Sequence, residues 1–354
     1  MEGSPRSSGE VTVVVTVLND PRLARALASL RSQIRAPSRI LIDDGGGSGG
    51  VGHAIAETFA AEDPRFVWLD APGTIAESRN RALTQLRTEF VAFLDADEVA
   101  PPEWLRELLV PFDSPDVGFT GGPTPAIPGT ARGAGVRYYD GYLRRFYDRV
   151  ARHRPTSLPM GNSAWRCAVF DQVGSLDTSL FPRASSEDQE VAVRALRAGW
   201  RGVYVPSAGV GHDFSDLTTA GILRKQSRYA TGGFVVWRRA GSTYEATPGG
   251  LLPYLFLPAC AVVGALLIPW PLTSLLGWGL LTFGLGGLGV LALGLTIQGA
   301  VWDRQYPGMR FRAFEILRRW ATAVGALRGW VRYGWSGRRN LPEPPPSSSG
   351  SGKP

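Results

Sequence analysis

The chain has 354 residues, 44% of them hydrophobic and 19% charged, which suffices for one large core or roughly two domains and excludes a disulfide miniprotein or a disordered tail. Its net charge is +7 and its pI about 9.7, yet Lys225 and Lys353 are the only lysines, so the excess of arginine reads as base composition rather than as a nucleic-acid patch. Cys167 and Cys260 are the only cysteines, which leaves no disulfide framework or CxxC metal site and suits a reducing cytosolic setting.

In chain order, residues 1–10 (MEGSPRSSGE) are polar and lack the apolar stretch of a signal peptide, which predicts a disordered, cytosolic N-terminus. From Val11 to about Ala208, β-branched runs alternate with helix-like segments. Val11–Leu18 precedes a helix near Arg22–Arg31, and Arg39–Asp43 and Phe66–Leu69 precede a helix around Ile75–Leu86. Phe90–Leu94, a helix from Pro101 to Leu109 and a strand near Val117–Thr120 follow. This grammar predicts an α/β fold with a mostly parallel sheet over 11–240, with ligands at the carboxyl ends of its strands.

Within 250–300, two apolar runs, Leu251 to about Trp270 and about Ser274 to Ile297, are separated by Pro269-Trp270-Pro271. Each is about long enough to cross a ~30 Å hydrocarbon core, and the short turn makes them a transmembrane hairpin. Arg238 and Arg239 before it and Arg304, Arg310 and Arg312 after it place both flanks in the cytoplasm at the inner (plasma) membrane. Gly284, Gly286 and Gly289 fit GxGxxG, but no strand precedes them, so we read the glycines as helix-packing positions. Residues 305–336 carry Phe311, Phe314, Leu317, Trp320, Ala321 and Val324 opposite Arg310, Arg312, Arg318, Arg319 and Arg328, the pattern of an amphipathic membrane-surface helix. The Pro/Ser/Gly segment 341–354 predicts a disordered tail.

Chemistry concentrates in Phe93-Leu94-Asp95-Ala96-Asp97, where an apolar strand ends in two carboxylates one residue apart. Burying both requires a compensating charge, and hard oxygen ligands suit Mg²⁺ or Mn²⁺ with a diphosphate; the competing reading is a cap on the following helix. With this Asp-Ala-Asp in a DxD position, residues from about Val11 to Gly233 resemble the family 2 inverting glycosyltransferases of GT-A fold. Val17-Leu18-Asn19-Asp20 and Asp43-Asp44-Gly45-Gly46 stand where that family ends its first two strands, the second without the usual serine. The resemblance implies that Asn19, Asp43 and Asp44 line the donor nucleotide. It implies too that Arg79 of Ser78-Arg79-Asn80 neutralises phosphate or holds the Asp95 loop by a bidentate pair.

The resemblance further implies that Asp95, Asp97 and His212 bind the metal, and that Gly161-Asn162-Ser163 belongs to the acceptor side. Asp188 of Ser186-Glu187-Asp188 becomes the general base, with Glu187 as its support or an acceptor contact. Arg224, Gln226 and Arg228 form a basic stretch that either closes over the diphosphate or lies on lipid headgroups; Gln226-Ser-Arg-Tyr departs from the Gln-x-x-Arg-Trp of processive synthases, which favours addition of one sugar. The expected partners are a nucleotide-diphosphate sugar, a lipid-linked or glycolipid acceptor and the membrane, with no nucleic acid. A polyprenyl-phosphate acceptor and an inactive membrane scaffold stay open as alternatives.

Overall fold

The computed structural model describes residues 6–70, 72–151, 155, 157–178, 185–240, 253–302 and 309–334. Along the chain these form β1 (Ser7–Val17), α1 (Leu23–Arg31), β2 (Arg39–Asp44), α2 (Val51–Glu62), β3 (Phe66–Asp70), α3 (Ile75–Thr84), β4 (Thr88–Asp95), β5 (Glu98–Val99), α4 (Trp104–Leu109), β6 (Val117–Gly121) and α5 (Ala134–Val150). They continue with β7 (Asn162–Arg166), α6 (Cys167–Val173), α7 (Glu187–Arg197), β8 (Arg201–Tyr204), β9 (Gly211–His212), α8 (Thr219–Ala240), α9 (Pro253–Leu267), α10 (Ser274–Trp302) and α11 (Met309–Tyr333).

Seven strands form one sheet in the order β3-β2-β1-β4-β7-β6-β8, in which only β7 runs against the others. The expected α/β fold with a mostly parallel sheet is therefore present. Both faces are covered, so the strands read as unbroken Val/Ile/Leu runs. Val13, Val15, Ile40, Ile42, Ala92 and Leu94 fill one core, and Val14, Leu41, Val91 and Phe93 the other. The period-two alternation of strand side chains sends neighbours to opposite faces.

Several boundaries move. Ser7–Glu10 belong to β1, where the Gly9 amide donates to Glu89, so ordered structure begins inside the segment expected to be disordered. The helix expected from Pro101 starts at Trp104, and α2 and α5 were not anticipated. α5 escapes a periodicity reading because its buried positions include Tyr138, Tyr139, Asp140 and Tyr147, polar-headed residues that mask the stripe.

The C-terminal apolar segment folds as α9 packed along α10. Added Cβ atoms at Gly264, Gly277 and Gly284 would strike backbone atoms of the opposite helix, whereas Gly286 and Gly289 meet nothing. Helix packing thus explains Gly264, Gly277 and Gly284 and not the rest of the GxGxxG pattern. α10 is long and apolar enough to span a bilayer over Ser274–Gly294, with mean hydropathy 1.7; α9 has 15 residues and is shorter than its expected run.

α11 corrects the amphipathic reading in its details. Its buried face is built from small residues, with Gly325 and Gly329 against Ser227, Ala230, Thr231 and Phe234 of α8 and Ala323 beside Tyr254 of α9. Leu317, Trp320, Leu327, Trp330 and Val331 instead point outward. Two flanking charges also have work inside the protein. Arg239 pairs with Asp177 (2.8 Å) and Glu190 (2.9 Å), and Arg318 stands 4.1 Å from the Tyr142 ring centroid. Arg304, the expected tail 341–354 and the side chains of Arg310, Phe311 and Arg312 lie outside the described residues.

Candidate active site

The site forms at the carboxyl ends of β1, β2 and β4, where the parallel strands deliver their loops to one edge. The turn after β4 carries Asp95 and Asp97 and then enters β5, whose Glu98 pairs in register with His212 of β9. This two-stranded ribbon brings His212 to the acidic turn across more than a hundred residues. His212 Nε2 lies 3.1 Å from Asp97 Oδ2, and its Nδ1 lies 3.5 Å from Glu98 Oε1. The Asp213 amide donates to the Asp97 carbonyl at 2.8 Å and locks the ribbon in place.

Three carboxylates so close behave differently. Burial works against the charge of Asp97, but the hydrogen bond and charge of His212, with Arg22 and Lys225 nearby, hold it below the usual carboxylate range. Glu98 is buried, and that burial, followed by the charges of Asp95 and Asp97, pushes it well above its ordinary value. Sequence reasoning missed Glu98, although it directly follows Asp97. No spacing rule marks a third carboxylate that turns inward.

Arg79 joins the two acidic motifs. It comes from α3, whose start is fixed by a capping box in which Glu77 N donates to Thr74 Oγ1 (3.3 Å) and Thr74 N donates to Glu77 Oε2 (2.7 Å), an arrangement worth about 1 kcal/mol. Its guanidinium donates once to Asp95 Oδ1 and once to Glu187 Oε1, both at 3.2 Å, and the residue is 3% exposed. The expected bidentate hold on the Asp95 loop is thus a bridge between two carboxylates. A bidentate pair does occur two residues on, where Arg81 grips the buried Asp43 at 3.1 and 2.6 Å. Gly161 backs Asp95, because a Cβ there would run into the Asp95 carboxylate.

Glu187 and Asp188 open α7. The chain reaches them through Ser186 in the left-handed region at φ 88°, and Glu187 Oε2 accepts the Ser185 amide at 2.7 Å. Asp188 keeps a partial opening to solvent and accepts the Gln189 amide at 2.8 Å. Burial and the neighbouring charge of Glu187 push it up to about 6, against the pull of Arg79. A carboxylate with that value is a competent base near neutral pH.

At the carboxyl ends of β1 and β2, Asn19 adopts φ 49° and its backbone amide donates to Asp44 Oδ1 (3.1 Å), which also accepts from Gly46 (2.8 Å). Asp44 Oδ2 is buried without a hydrogen-bond partner. An added Cβ at Gly50 or Gly52 would collide with Asn19 or Asp44, so this loop needs glycine for close approach. Asn162, read as an acceptor-side residue, is fully buried and structural: it accepts from Trp104 Nε1 (2.7 Å) and donates to the carbonyls of Ala208 and Pro123. Arg224–Arg228 lie in the first half of α8 and are helical rather than a loop; the Arg228 guanidinium lies 5.9 Å from the Tyr229 ring centroid.

The donor set fits a hard divalent cation. Asp97 and His212 converge, Asp95 stands two residues before Asp97, and burial, followed by the charges of Asp95 and Asp97, holds Glu98 well above its ordinary value. Among the described residues no group of three or more His, Cys, Asp or Glu side chains makes a self-sufficient metal centre. An ion held here would take its remaining ligands from phosphate and water, the usual habit of Mg²⁺.

Residues 90–300, from the middle of β4 almost to the end of α10, match the glycosyl transferase family group 2. The chain belongs to that family. From residue 90 onward the match bears out the family 2 glycosyltransferase resemblance read from Asp95-Ala96-Asp97, and it extends it through both C-terminal apolar helices. Among curated relatives, the pre-mycofactocin glycosyltransferase of Mycobacterium tuberculosis is 29% identical over 229 residues, covering 62% of this chain and 46% of that protein. An N-acetylglucosaminyltransferase of Rhizobium leguminosarum bv. viciae is 28% identical over 333 residues, covering 86% of this chain and 74% of its own length. Among solved structures, the mannosyltransferase PcManGT from Pyrobaculum calidifontis, in complex with GDP-Man and Mn²⁺, superposes with a TM-score of 0.59 at 17% identity. That alignment covers 94% of this chain and 90% of PcManGT, and at that identity it speaks for the shared fold.

Proposed function

We propose that this chain transfers a single sugar from a nucleotide-diphosphate sugar to a lipid-linked or glycolipid acceptor, with inversion and with Mn²⁺ or Mg²⁺, at the cytoplasmic face of the membrane. The observation that carries the reading is the Arg79 bridge from Asp95 to Glu187, beside Asp188, with Asp97 two residues on in contact with His212. In this reading Asp95, Asp97 and His212 hold the cation, which would neutralise the donor diphosphate. Asn19, Asp43 and Asp44 line the base and ribose, with the unpartnered Asp44 Oδ2 an acceptor for a nucleotide hydroxyl or N–H. Asp188 takes the proton of the acceptor hydroxyl as that oxygen attacks the anomeric carbon, Glu187 anchors the turn that aims it, and Arg228 adds positive charge on α8.

The donor half has a direct test. Asp97→Ala is expected to abolish Mn²⁺-dependent stabilisation of the protein by sugar nucleotides in thermal unfolding while leaving the metal-free melting temperature within a few degrees. Unchanged Mn²⁺-dependent affinity in Asp97→Ala would remove the metal assignment, and a wild-type protein stabilised by no sugar nucleotide would remove the donor assignment.

The membrane half rests on α10 and on where α11 goes. Phe256, Val262, Leu266, Leu275, Phe283 and Leu293 leave α9 and α10 apolar on their outward sides, as lipid-facing helices are. Because α11 packs back onto α8 and α5, both flanks of the hairpin lie on the side of the catalytic domain. A crossing by α10 therefore requires a return path through α9 and the turn at Ile268–Thr273. The protein is expected to resist alkaline carbonate extraction, with cysteines engineered at Ser215 and Arg332 labelled from one side of sealed vesicles and a cysteine at Leu272 from the other. Extraction into the supernatant, or labelling of Ser215 and Arg332 from opposite sides, would overturn the topology.

A further inference from the structure

Besides Arg79, His212 and Arg22, α8 brings a further cation towards the acidic cluster. Lys225 and Tyr229 are spaced i, i+4 and share one face of that helix. The Lys225 ammonium lies 5.6 Å from the Tyr229 ring centroid and interacts with its hydroxyl. Both residues are half-buried, as cleft residues are. α8 follows His212, which contacts Asp97. One turn beyond Lys225, the Tyr229 carbonyl accepts a hydrogen bond from Ser186 Oγ (3.2 Å) beside the Glu187-Asp188 pair. Lys225 thus lies on the stretch of helix between the two acidic motifs, where its charge acts on Asp97 and Glu98. The helix is pinned in this pose from both sides. Gly232 lies against the Ser185 carbonyl just before the Glu187-Asp188 pair, and on the other side Ser227 and Thr231 meet Gly325 of α11.

We propose that Lys225 binds the diphosphate of the sugar donor and takes up the negative charge that develops on the leaving nucleoside diphosphate, with Tyr229 holding the ammonium between the two acidic motifs. The proposal deepens the donor reading above and rests on it. In the transfer, the acceptor oxygen bonds to the anomeric carbon as its proton passes to Asp188. The bond from that carbon to the diphosphate oxygen breaks, and its electron pair stays on the leaving oxygen. A cation on the helix between the two acidic motifs can meet that charge. Lysine suits it, because a compact ammonium on a flexible stem follows a phosphate that moves as it leaves, whereas a guanidinium prefers a fixed bidentate geometry. Lys225 and Lys353 are the only lysines of the chain, so the one lysine among the described residues stands at this position.

Titration calorimetry in Mn²⁺ with GDP, UDP, ADP, CDP and dTDP, and with the monophosphate of whichever base binds best, separates the possibilities. Lys225→Met is expected to weaken the diphosphate about tenfold or more while changing the monophosphate less than about twofold, the selective loss of one charged hydrogen bond. Lys225→Arg should regain part of that loss. Lys225→Gln, which keeps a donor for Tyr229, should show the same selectivity if the Met variant folds poorly. An equal loss for both nucleotides would assign Lys225 to fold support, and no loss for either would place it outside the donor site; both results overturn the proposal. If the wild-type protein binds none of these diphosphates, the donor reading falls and this proposal falls with it.

Discussion

Asp188→Asn is expected to lower turnover at least about 10²-fold, the usual scale for removing a general base, with donor affinity close to that of the wild type. The amide keeps the size of the side chain and its hydrogen bond from the Gln189 amide, so the loss is one of basicity rather than shape. The pH profile supplies the sign. Burial and Glu187 lift the Asp188 carboxyl to about 6, so the wild-type rate with saturating substrate should rise about tenfold per pH unit below that value and level off above it. The raised value also means that the native state binds the Asp188 proton more tightly than the unfolded chain. Its contribution to stability is present below the unfolded value, near 4, and is lost as pH climbs towards 6. Near-wild-type turnover in Asp188→Asn, with the same pH limb, would move the base to another group, Glu187 first.

Arg79→Met is expected to do the largest structural damage of any single substitution in the site. The variant keeps an apolar stem against Phe93, whose ring centroid lies 5.9 Å from the guanidinium carbon, but leaves the buried Glu187 facing Asp95 with no cation between them. Removing one partner from a buried ion pair costs about 3–5 kcal/mol, because the other charge stays desolvated. That corresponds to a melting shift of about 6–20 °C for a catalytic domain of this size. Because Glu187 also holds the Ser185 turn, Asp188 should lose its aim, and turnover should fall with stability. Arg79→Lys should recover little, since a single ammonium cannot reproduce two donors in a fixed fork. A melting temperature within about 2 °C of wild type for Arg79→Met would show that Asp95 and Glu187 do not depend on the bridge.

The parallel sheet, the acidic turn after β4, the acidic start of α7 and the long apolar α10 could all be read from the residues. Each is written locally, as an unbroken β-branched run, a change from apolar to carboxylate at a strand end, or a length of hydrocarbon matched to a bilayer. The packing glycines of the hairpin were half legible: small residues announce close approach, but only the helix phase separates Gly264, Gly277 and Gly284, which touch the partner helix, from Gly286 and Gly289, which do not. Periodicity likewise identified an apolar face on α11 but not what it meets: Leu317 and Trp320 turned outward, Phe314 stacked on Tyr138 of α5, and glycine and alanine took the contact with α8 and α9.

Apart from Arg79 with Asp95 and His212 with Asp97, which the family resemblance implied, the meetings of distant charges waited for the tertiary structure. Asp43 and Arg81, Arg79 and Glu187, and His212 with Glu98 are brought together by the sheet order and by the β5–β9 ribbon, not by any spacing along the chain. Burial was equally hidden, and burial decides which of several carboxylates gives up its charge: Asp97 remains ionised beside His212, while Glu98, its immediate neighbour, is driven towards the protonated form. A sequence states which groups can ionise, but their solvation and their neighbours belong to the fold.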